Sequence, residues 1–321
     1  MANKSCPQFH CTNVIKNGVW HGRQRYLCRD CGCSWQNTTR PQRFSNRLWK
    51  EYAFELRTLK QLVKQYGKSR KWIQSQLNAY EAAELPMRSR PVTIIMDVTY
   101  FSSWGVLVAL DPYAKTGRDE YPVVYYNFIE STEKTADYEA CITELQAQCF
   151  TIQAAVIDGR RGVRDMLLAQ GIPVQQCQFH QLQTITQCLT KNPKLEPNKQ
   201  LREIALCITK TTERGLTAAL DLWYEQYGEW LKERYREPIT KHLRYQHSRT
   251  RRAYFSLRRN LPYLFTYQDQ ALAARGIKLP NTTNALDGSF GVWKTKLKVH
   301  RGCSKTLKTK ILRSFFSRKT D

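Results

Sequence analysis

Acidic residues and long apolar runs are both scarce in this sequence of 321 residues. It has 51 Lys and Arg residues against 27 Asp and Glu, which gives a formal net charge of +24 and a pI near 9.7. The longest apolar runs, such as GVLVAL and AAVI, are too short to cross a bilayer. The first residues, MANKSCPQF, lack the apolar core of a secretory signal. These absences exclude a membrane-spanning protein, and we expect a soluble cytoplasmic one.

The scarcity of acids is uneven along the chain. Residues 238–321 contain nineteen bases and three acids, and no glutamate follows Glu237, whereas residues 91–200 contain twelve acids and nine bases. A strongly basic surface attracts polyanions, of which nucleic acid is the commonest. An anionic membrane surface is the alternative partner, but no basic amphipathic helix with a large apolar face supports it. We therefore expect a nucleic-acid-binding protein without a membrane partner.

Cysteines are concentrated at the start of the chain, although the sequence has 11 in all. An odd number of cysteines without a secretory signal argues against a disulfide framework. Two cysteine pairs, separated by two short strands with glycine turns, have the pattern of a zinc ribbon within residues 1–40. The four candidate ligands are Cys6, Cys11, Cys28 and Cys31. His10 and Cys33 are reserve ligands, and a cluster of reduced thiols is the alternative to a structural Zn²⁺.

Residues 41–90 contain a pair of predicted helices with a basic surface. The stretch YGKS interrupts a helical pattern of apolar residues, and Ser69 is placed to cap the second helix ahead of Trp72. In a helix-turn-helix, the second helix would present its basic and polar side chains to a major groove. These side chains are Lys68, Arg70, Lys71 and Gln74. The alternative is an ordinary helical hairpin with a solvated basic face.

From residue 92 the pattern changes to alternating strands and helices. VTIIMDV is a continuous apolar run, as expected for a central strand that is buried on both faces. Two β-rich runs, SWGVLVALDPY and YPVVYYNFIES, precede the amphipathic helix KTADYEACITELQAQC. TIQAAVIDG and IPVQQC are two more predicted strands, on either side of the helix VRDMLLAQG. The order β-β-β-α-β-α-β predicts an α/β domain, followed by a helical region and by a loop that enters a last helix.

Two aspartates stand where such a domain builds functional sites. Asp97 lies within the most apolar strand, where a carboxylate is costly unless it is paired or binds metal, and Asp158 ends a second strand. Neighbouring strand ends are common sites in α/β proteins, and carboxylate oxygens suit Mg²⁺ or Mn²⁺. The alternatives are a salt-bridged core acid at Asp97 and a turn residue at Asp158. Cys177 and His180, in CQFHQ, are either half of a zinc site or structural residues.

Four motifs, taken in order, resemble the Mutator-like group of DDE transposases, which includes bacterial insertion-sequence enzymes. The motifs are MDVTYF, VIDGRRGVRDML, CQFHQ and TTNALDGSF, and the resemblance covers roughly residues 92–300. By this resemblance, Asp97 and Asp158 match the first two metal-binding carboxylates of the family. Cys177 and His180 match a C-x2-H pair that lies near the active site. The third acid is usually a glutamate three residues after the asparagine of a TN motif, and Asp287 stands at that position here.

The resemblance implies a ribonuclease-H-like catalytic core interrupted by an all-helical insertion, preceded by a zinc ribbon and a helix-turn-helix. The implied segments are 1–40 (zinc ribbon), 41–90 (helix-turn-helix), 91–185 (first part of the core), 186–275 (helical insertion) and 276–321 (last core helix and basic tail). It also implies that Asp97, Asp158 and Asp287 hold two Mg²⁺ or Mn²⁺ ions. Water would then cleave phosphodiesters at transposon ends, and the freed 3′-hydroxyl would be transferred into target DNA.

The implied partners are double-stranded DNA, as terminal inverted repeats and as target, and at least one further copy of the chain. The implied location is the bacterial cytoplasm, in association with the nucleoid. Basic residues near the motifs would contact phosphates and make binding salt-dependent. They are Arg160, Arg161, Lys294, Lys296, Lys298 and Arg301.

Three other functions remain open at this point. Aspartate in place of glutamate at Asp287 favours a decayed or domesticated transposase that only binds DNA in a sequence-specific way. A nuclease of the same fold without strand transfer is the second alternative. A zinc hydrolase is a distant third, because the sequence has no set of histidine ligands for catalysis, and no constellation supports a Ser, Cys or His nucleophile.

Overall fold

The computed structural model describes residues 5–6, 8, 11–20, 23–36, 39–81, 89–114 and 122–317, with residues 23 and 39–43 described in backbone only. The chain divides into two units, each assembled from segments that are distant in the sequence. The first unit comprises Met1–Ala82 and Lys296–Ile311, and the second comprises Ala83–Thr295 and Leu312–Asp321. The reserve ligand His10 and residues 82–88 lie outside the described residues.

The first unit begins with a small antiparallel sheet in the order β1-β2-β3. Its strands are β1 (Val14–Trp20), β2 (Arg23–Cys28) and β3 (Ser34–Gln36). Gly18 has a φ of +67°, and the β1–β2 register shifts nearby, so that β1 carries a bulge. The strands are largely exposed, with Tyr26 and Cys28 among the few buried side chains. A sheet with so little apolar core needs a further source of stability.

Four helical segments follow in the first unit. They are α1 (Thr39–Trp49), a π-helical turn (Lys50–Phe54), α2 (Leu59–Tyr66) and α3 (Arg70–Ala79). Helix α2 ends at Gly67, whose φ of +60° suits glycine. The predicted cap of α3 is confirmed, because Ser69 Oγ accepts a hydrogen bond from Trp72 N at 3.2 Å. Both helices and the short turn between them lie where the sequence predicts, and they bury Leu62 and Ile73.

A five-stranded mixed sheet forms the centre of the second unit, in the order β6-β5-β4-β7-β8. Its strands are β4 (Pro91–Phe101), β5 (Trp104–Leu110), β6 (Val123–Ile129), β7 (Thr151–Ile157) and β8 (Val174–Gln176). Strand β4 pairs antiparallel with β5 and parallel with β7, and its apolar residues are buried on both faces. The connecting helices are α4 (Thr135–Ala147) and α5 (Arg161–Ala169). The predicted order is confirmed, and this mixed α/β arrangement is compatible with a ribonuclease-H-like core.

The chain after β8 is mainly helical. Its helices are α6 (Gln178–Leu189), α7 (Glu196–Leu206), α8 (Glu213–Lys232), α9 (Ser248–Leu264) and α10 (Gln270–Ala274), with a 3-10 turn at Thr266–Gln268. The prediction of an all-helical insertion over residues 186–275 is wrong in one respect. Strands β9 (Arg234–Arg236) and β10 (Leu243–Tyr245) form an antiparallel hairpin. Pro238 in its loop has no N–H with which to continue a helix, and the Arg234 guanidinium lies 4.5 Å from the Tyr245 ring.

Two helices end the described chain, α11 (Asn284–Val299) and α12 (Lys305–Phe316). Helix α11 begins within TTN, where the sequence predicts a loop that enters a last helix. Most of the basic tail that follows is itself helical, because α12 occupies it. Within the part of the chain that the structure describes, no helix is both long and apolar enough to cross a membrane.

Candidate metal centre

Two of the predicted acids lie side by side on neighbouring parallel strands. In the pairing of β4 with β7, Ile95 lies opposite Val156. Two residues further along the two strands stand Asp97 and Asp158, the first still within β4 and the second directly after β7. The charge of Asp158 is close enough to raise the pKa of Asp97. The register of the sheet therefore brings these two acids together.

Two helix starts bring the remaining site residues to Asp97. His180 lies in the first turn of α6, and Asp287 lies in the first turn of α11. One ligand atom from each of Asp97, His180 and Asp287 lies within 4.8 Å of the other two. The sequence predicts His180 to be near the active site, and leaves open a zinc site with Cys177, whereas the structure groups its imidazole with Asp97 and Asp287 as a potential ligand. Two carboxylates fit Mg²⁺ or Mn²⁺, and an imidazole is a ligand that transition metals bind more readily than Mg²⁺ does.

Hydrogen bonds join the loop before α11 to the start of α6. Gln178 N donates to Asn281 O at 3.0 Å, and Asn281 Nδ2 donates to Gln178 Oε1 at 2.9 Å. Thr283 is fully buried, and its backbone N donates to Cys177 Sγ at 3.3 Å. Cys177, which the sequence identified as half of a C-x2-H pair, is therefore an anchor for the segment that carries the last acid.

The Thr283 hydroxyl joins three members of the site. It donates to Asp287 Oδ2 at 3.0 Å and lies 3.4 Å from both His180 Nδ1 and Cys177 Sγ. Sequence reasoning used the TN motif only to locate Asp287 and missed Thr283 itself. The available signal was its position in the motif, four residues ahead of the acid on what becomes the first turn of a helix.

Burial and crowding of like charges shift the titration of the site. Burial, together with the charges of Asp158 and Asp287, raises the pKa of Asp97 to about 7. A hydrogen bond with Cys177 and the charges of Asp97 and Asp287 raise the pKa of His180 to about 9. Without metal, protons therefore offset part of the repulsion among the acids, and a divalent cation would replace those protons.

Asp158 is also linked to a carboxylate that sequence reasoning missed. Arg160 Nε lies 3.4 Å from Asp158 Oδ2, and Arg160 Nη2 pairs with Glu133 Oε1. Tyr138 Oη donates to Glu133 Oε2 at 2.5 Å, and the Glu133 side chain is only 6% exposed. Burial raises the pKa of Glu133. The signal for Glu133 was its place between a strand end and the next helix, the same kind of position that drew attention to Asp158.

The predicted zinc ligands lie in two overlapping groups that share Cys28. Ligand atoms of Cys6, Cys28 and Cys31 lie within 4.8 Å of one another, and so do those of Cys11, Cys28 and Asp30. Cys6 Sγ and Cys31 Sγ are 3.5 Å apart, close to the roughly 3.8 Å expected between two sulfurs that bind one zinc at about 2.3 Å. The structure thus brings Cys6, Cys28 and Cys31 together and places Cys11 beside Cys28, and thiolates of this kind suit Zn²⁺.

The residues predicted to contact DNA are divided between the two units. Those in the first unit are Lys68, Arg70, Lys71, Gln74, Lys296, Lys298 and Arg301, and those in the second are Arg160, Arg161 and Lys294. Most of them are exposed, but Gln74 and Lys296 are half-buried. Arg161 Nε pairs with Asp165 Oδ2 at 3.2 Å, so both arginines that follow Asp158 are engaged by acids. The guanidinium of Arg160 contacts both Asp158 and Glu133.

Comparison with known proteins finds likeness at the level of structure and not of sequence. No protein family matches the sequence, and no curated protein sequence matches it. Among solved structures, the chain is similar to the Drosophila P element transposase in its strand transfer complex, with a TM-score of 0.34 and 12% sequence identity. The match covers 88% of this chain and 79% of that one. A likeness this remote assigns no activity to the chain. The function therefore has to be inferred from the side chains of the site.

Proposed function

We propose that the protein is a DNA transposase of the DDE type. It would cut phosphodiesters at the ends of a mobile element and transfer the resulting 3′-hydroxyl into target DNA. The observation that carries the proposal is the convergence of Asp97, Asp158 and Asp287 beside one sheet in a chain of net charge +24. The carboxylates suit divalent cations, and the charge suits a polyanionic substrate.

In this proposal the three aspartates hold the divalent cations, with His180 as an additional ligand. Two such cations, when bound, activate a water or hydroxyl nucleophile and stabilise the leaving oxygen. Thr283 orients the carboxylate of Asp287 through its hydroxyl. Glu133 would not bind the cations itself. It holds Arg160, which in turn contacts Asp158. The ligands stand on a strand, directly after a strand and on first turns of helices, which are rigid supports for a site.

The proposal assigns DNA binding to the basic and zinc-binding elements. Residues 1–40 would be a zinc ribbon and residues 41–90 a helix-turn-helix, which together bind the terminal inverted repeats. The remaining proposed segments are 91–185 and 276–321 for the core and 186–275 for the insertion. Lys68, just before α3, and Lys71, within its first turn, are exposed, and the start of a recognition helix is the part that contacts base edges. Because the two ends of a mobile DNA element are handled together, we expect at least two copies of the chain in the DNA complex.

Substitutions of Asp287 test whether the site catalyses DNA cutting. Asp287→Ala should abolish nicking and joining of a duplex that carries the element's end, while leaving binding unchanged, because a cation ligand is lost. Asp287→Glu should also cut more slowly than wild type, since the site already holds the shorter carboxylate against Thr283 at 3.0 Å. Labelled strands incubated with Mn²⁺ and separated on a denaturing gel give both products.

Two other results of that experiment would assign a different function. If the wild-type chain binds but never cuts, and Asp287→Glu restores cutting, the protein is a decayed transposase that acts by binding DNA. If the wild-type chain cuts but never joins strands, it is a nuclease.

Glu133→Gln should lower the cutting rate by about 10- to 100-fold, the usual cost of removing a group behind a metal ligand. The loss of charge frees Arg160, whose guanidinium then competes with the cation for Asp158. Glu139→Gln is the matched control, because Glu139 is exposed on α4, and it should cut at the wild-type rate. Cutting rates are measured over a range of Mn²⁺ concentrations. Partial rescue at high Mn²⁺ is expected for Glu133→Gln, and a loss that Mn²⁺ does not change would contradict a positioning role.

Cation binding should depend on pH because the pKa of Asp97 is raised to about 7. Its carboxyl must lose a proton to bind a cation, and so must the imidazole of His180, whose pKa is raised to about 9. The affinity for Mn²⁺ should therefore rise by about tenfold or more per pH unit below 7, and continue to rise by up to about tenfold per unit between about 7 and 9. The same shift disfavours the ionised form in the metal-free fold, whose stability should fall as pH rises through about 7. Calorimetric titration with Mn²⁺ between about pH 5.5 and 8 measures the first effect, and a flat profile would contradict it.

A further inference from the structure

The first unit contains a cavity of about 420 Å³ that the proposed chemistry does not use. Its walls come from the π-helical turn, from α2 and the residue before it, from the first residue of α3, and from residues 299–303 at and after the end of α11. All of these segments belong to the first unit. The cavity is thus formed by residues about 230 positions apart in the sequence, such as Arg70 and Arg301.

Three cations, and no acid, are found among the described residues that line this cavity. They are Lys60, Arg70 and Arg301, all of them exposed. None of the three forms an ion pair with another described residue, whereas Arg57 in the same unit lies 3.8 Å from a Glu55 oxygen. Cations that surround a space and have no carboxylate partner make a site for an anion.

His300 adds a buried polar atom that has no partner. It lines the cavity and is 4% exposed, and its Nε2 has no hydrogen bond within the described chain. Its ring centroid lies 4.1 Å from that of Tyr52. A buried polar atom of this kind costs free energy until a water or a ligand satisfies it. Because this atom is inaccessible to solvent, it does not face the open cavity, and the case for an anion depends on the three cations.

The rest of the lining distinguishes between anions. Leu59, Val63 and Val299 give the cavity an apolar wall, which a free phosphate has no group to contact. A deoxyribose next to a phosphate does have such a group, because its carbon face is apolar. Arg70 is the first residue of α3, and the first N–H groups of a helix favour a phosphate.

We propose that this cavity binds a sugar–phosphate segment of a DNA strand, with the phosphate among the three cations and the sugar against the apolar wall. This inference rests on the proposed function, and it names one place where DNA is held. The contact would be to the backbone, so it would set the affinity and the position of the DNA without reading its sequence.

The test compares two exposed lysines one turn apart on α2, of which Lys60 lines the cavity and Lys64 does not. Anisotropy of a labelled duplex is measured with the full chain at several salt concentrations, without added Mg²⁺ or Mn²⁺. We expect Lys60→Gln to weaken binding and to reduce the slope of log K against log salt by about 0.9, the value for one lost phosphate contact. Lys64→Gln should leave the slope near that of the wild type.

A second variant separates the cavity from general charge. Val63→Phe fills the space without changing any charge, and it should weaken duplex binding while the melting temperature shows that the fold is kept. Equal losses in Lys60→Gln and Lys64→Gln would overturn the inference, and so would a folded Val63→Phe chain that binds like the wild type. Cavity variants that lose calorimetric binding of inorganic phosphate but keep duplex binding would identify a free-phosphate site instead, which also overturns it.

The outcomes also separate this inference from the proposed function. Normal duplex binding by the cavity variants leaves the transposase proposal intact. If the wild-type chain binds the duplex normally but shows no metal-dependent cutting, the proposed catalysis is wrong and the proposed cavity site is unaffected. A wild-type chain that binds no duplex at all would overturn both.

Discussion

Asp97→Asn should abolish DNA cutting and leave DNA binding intact. Asp97 lies close to every other member of the candidate metal centre. Its carboxylate oxygen is within 4.8 Å of ligand atoms of His180 and Asp287, and Asp158 lies beside it. The amide keeps the shape of the side chain but removes a charge that the cation needs. Because cation catalysis supplies several kcal/mol of transition-state stabilisation, the cutting rate should fall by about 10³-fold or more.

The same variant has a second signature that a simple folding defect would not give. Since burial raises the pKa of Asp97 to about 7, a neutral side chain should make the metal-free protein more stable at pH values above 7. Melting temperature measured at high pH, alongside cutting, tests both effects. Asp221→Asn is the control, because Asp221 pairs with Arg258 at 2.7 Å on the helical region, and it should cut normally. An Asp97→Asn chain that cuts within tenfold of wild type would refute the assignment.

Cys28→Ser should release zinc and unfold the three-stranded sheet of the first unit. Cys28 belongs to both groups of potential zinc ligands, so its loss damages the whole set. The sheet has few buried apolar side chains, and a structural zinc supplies folding free energy on the order of 10 kcal/mol to such modules. Metal analysis should give one zinc per wild-type chain and none for the variant, together with faster proteolysis of residues 11–36.

The matched control for this variant is Cys207→Ser. Cys207 is an exposed thiol in the second unit, and its replacement should leave both the zinc content and the proteolysis pattern unchanged. A Cys28→Ser chain that retains one zinc per molecule would contradict the zinc ribbon. Loss of zinc without any loss of the sheet would contradict its role in folding.

Local pattern predicts much of the second unit's core. The continuous apolar run around Asp97 predicts a central buried strand, and β4 is the middle strand of five. The alternation of strands and helices after it gives the order of the elements, because each element is specified by its own periodicity. The position of Asp158 at a strand end follows in the same way. The Ser69 cap is a local signal too, and the structure confirms it.

The contacts that complete the site depend on pairings over long sequence distances, which periodicity does not encode. Glu133 reaches Arg160 through the packing of a loop against the start of α5, and Thr283 reaches Cys177 from more than one hundred residues away. The hairpin formed by β9 and β10 was missed because two strands of three residues give almost no alternation to read. The cavity lined by Arg301 has the same origin, since its walls come from opposite ends of the chain.

The central claim is that this protein cuts a DNA strand and joins the 3′-hydroxyl of the cut strand to a second DNA. The most direct measurement incubates the wild-type protein and Mn²⁺ with a labelled duplex that carries the element's end and an unlabelled target plasmid. The claim predicts a labelled strand covalently joined to the plasmid, formed by wild type and absent with Asp97→Asn. Bound duplex that is never cut, or plasmid that never acquires label while nicks accumulate, would contradict it.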